Sequence, residues 1–375
     1  MERYARHLVL PEVGPSGQRA ISEAKVLVIG AGGLGAPLIA YLAASGIGTL
    51  GIVDFDLIEL TNLQRQILYQ MDDLGKKKAQ TAANWVSAFN PELKVNIHDL
   101  RLDHTNALDI IQGYEIIADG SDNFATRYLV NDACVLANKP LVYGSIFRFE
   151  GQVSVFNLPD GEGKRGPNYR DLFPYPPPPE MVPNCAEGGV LGVLPGIVGS
   201  IQASEVLKII CGIGKTLSGK LLLVDVLNQD YRTLKIIKNQ SNPFNFNPPG
   251  ITHLSDYDIN CQTNLETKQM VQSINVHQLK AMQENGEDFQ LIDVREVWEY
   301  ELTNLNGLLI PKGEIENHLE LIAQDKKVVV QCRSGVRSAD VILLLQKKYG
   351  LDNLYNLEGG ILAWSKEIDP SMPLY

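Results

Sequence analysis

Lys25 to Asp54 reads KVLVIGAGGLGAPLIAYLAASGIGTLGIVD. A short apolar run (Lys25 to Ile29) meets a glycine turn, an apolar helical stretch (Leu34 to Ala44) and a second apolar run (Thr49 to Val53) closed by Asp54. That order is a βαβ unit. Gly30, Gly32 and Gly35 fall on the G-x-G-x-x-G spacing, with Gly33 between them and Asp54 at the end of the next strand. Glycines let backbone approach a phosphate, the helix N-terminus favours an anion, and a strand-end carboxylate suits ribose hydroxyls. A tight turn without a ligand is the plain alternative. Taken by itself, the motif points to an NAD enzyme.

Working outward, the alternation continues. Helices are expected near Lys78 to Phe89 and Ala125 to Ala137. Strands are expected near Lys94 to His98, Glu115 to Ala118 and Pro140 to Tyr143. Gln152 to Asn157 and Lys220 to Val226 read as antiparallel additions. The fold class is therefore α/β, with a Rossmann-like, doubly wound mixed sheet at the N-terminal end. Leu158 to Glu187 breaks the pattern with glycines and four prolines at Pro176 to Pro179, and reads as a long loop. A second break, dense in Asn and Pro, starts at Asn239. Strand and helix signals restart later at Leu291 to Val294, Lys327 to Gln331 and Ser338 to Lys348. The expected division is residues 1–238, a linker over 239–272, and a smaller α/β domain over 273–375.

The residues after Asp54 move the reading away from NAD. Asn62, Arg65 and Gln66, in N-L-Q-R-Q, and Lys78 form a polar group that hydride transfer does not need. A triphosphate does, because Arg and Lys neutralise its charge and that of a pyrophosphate leaving group. Asp122, in Ser121-Asp122-Asn123, ends another strand and suits Mg²⁺. Each alone is more often a solvated surface group; together they form a polar cluster at strand ends, where such sheets bind ligands. R-Y-A-R-H, G-A-G-G-L-G, D-F-D, N-L-Q-R-Q and S-D-N together resemble the MoeB/ThiF family of ubiquitin-activating-enzyme-like adenylyltransferases. The resemblance implies that ATP adenylates the C-terminal glycine of a small ubiquitin-like sulfur carrier protein. It also implies that Asp54 binds ribose, that Asn62, Arg65 and Lys78 contact phosphates, and that Asp122 serves Mg²⁺ and catalysis. Arg6 matches an arginine supplied across a homodimer interface.

Cys185 lies at the end of the Pro-rich loop, before a helical signal, where a thiolate is favoured and could meet an activated C-terminus. An incidental cysteine is the alternative. The segment resembles the one that carries the acyl-accepting cysteine in rhodanese-fused members, which implies a thioester or disulfide there. Many members also hold zinc with two C-x-x-C pairs. The matching places here are Asn168 to Asp171 and a cysteine-free Asn242 to Asn247, so zinc is not expected, and Tyr and Phe packing is expected instead.

Cys332-Arg333-Ser334-Gly335-Val336-Arg337 joins an apolar strand to a helix. Such a loop aims backbone N–H groups at a sulfur, and with Arg333 and Arg337 would stabilise a thiolate or persulfide. Phosphatase chemistry needs C-x5-R, but Ser338 stands at that place, and the spacing is C-x4-R. With L-I-D-V-R-E-V-W-E-Y and N-L-E-G-G-I-L-A-W, the C-terminal part resembles the rhodanese sulfurtransferases. That resemblance implies that Cys332 carries a persulfide, charged by a cysteine desulfurase or thiosulfate. Asp293 and Arg295 read as structural.

The net charge of −11 argues against a nucleic-acid partner. The longest uncharged stretch, Gly188 to Ser204, is broken by Pro195 and glycines and reads as buried rather than membrane-spanning. Five scattered cysteines, an odd number, fit a reducing cytoplasm. Two other readings are an NAD-dependent oxidoreductase with a redox-active cysteine domain, and a non-catalytic carrier-docking protein.

Overall fold

The structure, a computed structural model, describes residues 2–176, 189–255 and 271–373. The chain separates into two compact units, Met1–Gln262 and Thr263–Tyr375. In the first, β1 (Lys25–Ile29), β2 (Thr49–Val53), β3 (Lys94–His98), β4 (Ile116–Asp119) and β5 (Leu141–Phe147) are parallel. β6 (Glu150–Phe156), β7 (Lys220–Asp225) and β8 (Asp230–Lys235) follow antiparallel. The order β3-β2-β1-β4-β5-β6-β7-β8 reverses between β1 and β4, the switch point at which such sheets bind ligands.

The central strands are apolar throughout because both faces are covered. Val26, Val28, Leu38, Leu42 and Ile52 pack on one face; Leu27, Ile29, Ile117, Tyr128 and Phe156 pack on the other. Helices α1 (Ala5–Leu8), α2 (Gly14–Glu23), α3 (Gly35–Ser45), α4 (Lys78–Phe89), α5 (Ala107–Gln112), α6 (Phe124–Leu136), α7 (Tyr169–Leu172) and α8 (Leu194–Cys211) complete the unit. Among the described residues α8 alone is long and apolar enough to cross a membrane. Its apolar character serves packing against α2, α3, β5 and β6, with Gln202 and Glu205 also buried.

Two expectations change. Part of the Pro-rich loop is anchored: Tyr169 is buried, and Arg170 makes a buried bidentate pair with Asp132 (2.7 Å to each oxygen). The run that begins at Asn239, expected as linker, first closes onto this unit. Asn242 is fully buried and donates to Asn168 Oδ1 at 3.2 Å; the Asn239 amide and the Asn245 side chain both donate to Asp171 Oδ1 at 2.8 Å. Asn168 and Asp171 thus meet Asn242 and Asn245. Amides and one carboxylate, bonded to one another, tie the segments together. An aromatic group around Tyr169 (Tyr128, Tyr143, Phe156, Phe173) packs beside them.

The second unit is a parallel sheet, ordered β11-β10-β12-β13-β9. Its strands are β9 (Ser273–Ile274), β10 (Phe289–Asp293), β11 (Leu308–Leu309), β12 (Lys327–Gln331) and β13 (Leu354–Leu357). Helices α9 (Val276–Glu284), α10 (Val297–Leu302), α11 (Val336–Tyr349) and α12 (Gly360–Glu367) flank it. Asp293 and Arg295 form a fully buried pair at 2.6 Å, a structural role as expected.

Candidate functional site

Two sites emerge, one in each unit. In the first, the β1–α3 turn folds so tightly that two glycines are obligatory. A Cβ on Gly35 would lie 1.9 Å from the Gly30 carbonyl oxygen, and Gly30 itself has φ +87. Gly32 and Gly33 have more room, a Cβ there meeting Gln66 Nε2 at 3.5 Å or Pro195 at 3.3 Å. Asp54 clamps this turn: its carboxylate accepts the Ala31 amide at 2.8 Å and the Asp56 amide at 2.9 Å. Burial pushes the Asp54 carboxyl up, opposed by those two amides and by the Lys78 ammonium.

Lys78, the first residue of α4, is buried and places Nζ 2.8 Å from Asp56 Oδ2. Tyr69 joins the same corner, donating to the Ala31 carbonyl at 2.8 Å. Asn62 and Gln66 are buried, and Gln66 Oε1 has no hydrogen-bond partner. Arg65 is half-buried and donates to the Thr61 carbonyl at 3.0 Å. Gly30, Gly32, Gly33, Gly35, Asp54, Arg65, Gln66 and Lys78 are thus linked by contacts around one turn. Asp122 is exposed on the turn after β4, which approaches the β1 turn where a Gly30 Cβ would meet the Gly120 carbonyl. Asn123 caps α6 by accepting the Thr126 amide at 2.9 Å. Arg6 is exposed on α1, beside exposed Val9 and Leu10.

In the second unit Cys332 follows β12 and is fully buried. Its Sγ accepts the Gly335 amide at 3.1 Å and lies 3.3 Å from Ser338 Oγ. Gly335 has φ +91 and opens α11. The N-L-E-G-G segment passes beneath the loop, where Ile361 donates to the Cys332 carbonyl at 2.9 Å and Leu362 to that of Arg333 at 3.1 Å. A Cβ on Gly360 would sit 2.3 Å from the Cys332 carbonyl oxygen, which explains the glycine there. Arg337, expected at the sulfur, gives two nitrogens to the Glu299 carboxylate. Its charge is balanced there, and a neutral amide and a hydroxyl contact the sulfur. Sequence reasoning weighed Ser338 only as a missing arginine and did not single out Glu299. Arg333 and Ser334 are half-buried and Val336 is exposed. Cys185 lies outside the described residues. Cys134 is buried, and burial pushes its thiol well up, which fits packing rather than chemistry.

Residues 4–244 match the ThiF family, and residues 275–367 match the rhodanese-like domain. The chain is 48% identical, over all of its length and 95% of the relative's, to a probable adenylyltransferase/sulfurtransferase MoeZ of Mycobacterium tuberculosis. It is 49% identical over 261 residues, 70% of this chain and 96% of the relative, to a sulfur carrier protein adenylyltransferase of Thermus thermophilus. A crystal structure of E. coli MccB with MccA-N7isoASN superposes with a TM-score of 0.54 at 25% identity, covering 63% of this chain and 72% of that one. The chain belongs to the ThiF family and, with its rhodanese-like C-terminal domain, is an adenylyltransferase and sulfurtransferase.

Proposed function

We propose that the first unit uses ATP to adenylate the C-terminal glycine of a small ubiquitin-like sulfur carrier protein ending in Gly-Gly, and that the second unit supplies the sulfur. The observation that carries this reading is the pairing of a glycine turn, clamped by Asp54 and flanked by Lys78, with a separate cysteine loop built on a helix N-terminus. The α- and β-phosphates would lie on the turn and α3 N-terminus, with ribose at Asp54 and with Asn62, Arg65, Gln66 and Lys78 toward the phosphates. The carrier carboxylate attacks the α-phosphorus, the bond to the bridging oxygen breaks, and pyrophosphate leaves with its electron pair. Arg65 and Lys78 stabilise that charge.

Mg²⁺ suits the oxygen donors of the β4 turn, where Asp122 would hold it and phosphate charge would be neutralised. The described residues contain no cluster of three or more His, Cys, Asp or Glu that could hold a metal, so phosphate oxygens and water would complete the shell. Zinc has no place in this reading. Exposed Val9, Leu10, Leu60, Ile67 and Met71 support a homodimer in which Arg6 serves the partner's nucleotide. The setting is the cytoplasm, with neither nucleic acid nor membrane as partner.

The Cys332 thiolate takes a sulfane sulfur from thiosulfate, releasing sulfite, or from a cysteine desulfurase. The terminal persulfide sulfur then attacks the acyl-adenylate and AMP leaves. Attack by a second thiol, assigned to Cys185, on Cys332 Sγ releases the carrier thiocarboxylate, and the resulting disulfide is reduced by a cellular dithiol. The test is Cys332→Ala, which should abolish thiocarboxylate formation and leave ATP–pyrophosphate exchange intact. Loss of both activities would overturn the division of labour.

A further inference from the structure

The sulfur of Cys332 sits on a three-member hydrogen-bond chain that the persulfide reading above does not use. Ser338 Oγ is 3.3 Å from Cys332 Sγ and 2.6 Å from Asn356 Oδ1. Ser338 is fully buried, Asn356 is buried, and the Asn356 backbone is pinned by its amide donating to the Gln272 carbonyl at 2.8 Å. A hydroxyl owns a single proton, so Ser338 cannot donate to both neighbours. With the Asn356 oxygen toward it, Ser338 donates to Asn356 and presents only a lone pair to the sulfur. That arrangement suits a thiol, whose S–H donates to Oγ. It does not suit an anion, because lone pairs would then face each other in a buried site.

We propose that Asn356 and Ser338 form a reversible donor relay onto Cys332. When the sulfur becomes anionic the Asn356 amide turns over, Nδ2 donates to Ser338 Oγ, and the Ser338 proton swings onto Sγ. The two amide orientations occupy the same volume and differ only in which atom faces the serine. Together with the Gly335 amide this gives Sγ two donors at the moment it carries charge. That moment comes twice, before the thiolate attacks the outer sulfur of thiosulfate and after an acceptor takes the sulfane sulfur. In the second step the outer S–Sγ bond breaks and its electron pair stays on Sγ. Ser338 touches the reacting atom, whereas Asn356 acts through it and is a positioning residue.

This inference rests on Cys332 being the sulfur carrier, and the experiment separates the two. Sulfur transfer from thiosulfate to cyanide is measured with the full chain across pH, with ATP–pyrophosphate exchange and thermal melting as controls. Asn356→Asp keeps the size and the acceptor but loses the donor. It should slow transfer by about tenfold or more and move the pH–rate profile to higher pH, with ATP–pyrophosphate exchange at the wild-type value and the second unit still melting cooperatively. Ser338→Ala should give a loss of the same order. Wild-type rate and pH profile in Asn356→Asp would show that Asn356 merely accepts a structural hydrogen bond and would overturn the relay; so would a fully active Ser338→Ala. Sulfur transfer that survives in Cys332→Ala would instead overturn the carrier assignment itself.

Discussion

Arg337 gives Nη1 and Nη2 to the two carboxylate oxygens of Glu299 at 2.7 Å each, joining the helix after the sulfur loop to α10. Glu299 is almost wholly buried and Arg337 mostly so. The carbonyl of the same Glu299 receives Arg295 Nη1 at 3.4 Å, so the buried Asp293–Arg295 pair supports the same corner. Both ion pairs hold the flank of the loop.

Removing one partner of such a pair leaves a buried charge uncompensated. Glu299→Gln should therefore lower the stability of the second unit by about 3 kcal/mol, read as an earlier thermal transition. Replacing both residues together, as Glu299→Met with Arg337→Met, should recover much of the loss, since no lone charge remains. An unchanged melting curve in Glu299→Gln would mean that water already serves Arg337.

How far these features can be read from sequence depends on contact range. The helix Lys78–Phe89 and the strand Lys327–Gln331 stand where their periodicity places them, because local apolar pattern and burial agree. β8, DYRTLK, was not anticipated: it is an exposed edge strand, and its charged residues carry no alternation to detect. Gly30, Gly35 and Asp54 were legible since one short turn fixes all three. The Gly335 amide at Cys332 was legible in the loop itself, but the residues that hold Ser338 and Arg337 were not. Asn356 lies 18 positions from Ser338 and Glu299 lies 38 from Arg337, and only the folded chain brings them together. The Asn239 run misled for the same reason: its composition is that of a linker, while its bonds to Asn168 and Asp171 are long-range.

The two kinds of glycine in the nucleotide turn should separate under substitution. Gly35→Ala puts a methyl against the Gly30 carbonyl with no side chain able to yield, so the first unit should lose stability outright. Gly32→Ala meets nothing closer than Gln66 Nε2 at 3.5 Å and should melt normally, yet it should bind ATP poorly because the methyl occupies the phosphate's approach. Melting temperature and nucleotide titration on both variants check this. Normal ATP binding by Gly32→Ala would move the phosphates off the turn.

Lys78 is buried and its Nζ is held 2.8 Å from Asp56 beside the nucleotide turn. Lys78→Met should reduce carrier-dependent ATP–pyrophosphate exchange by about 10²–10³-fold. Transfer of sulfur from thiosulfate to cyanide should be unaffected, because it is assigned to the other unit. Parallel loss of both activities would indicate general misfolding rather than a phosphate contact.

His98 closes β3 with Nε2 2.8 Å from the Tyr114 hydroxyl. Burial holds its imidazole below the usual value of 6.5. The folded chain therefore binds this proton less readily than the unfolded chain. Above the unfolded value both states are neutral and the histidine is silent; as pH falls through it, the unfolded chain protonates first and stability drops. Denaturant unfolding of the wild type should show a loss of stability from this group over the interval in which pH falls through the unfolded-state value of about 6.5. His98→Gln keeps a polar partner for Tyr114 but cannot titrate, so it should be less sensitive to pH over that interval. An equal loss in the variant would assign the acid limb to other groups.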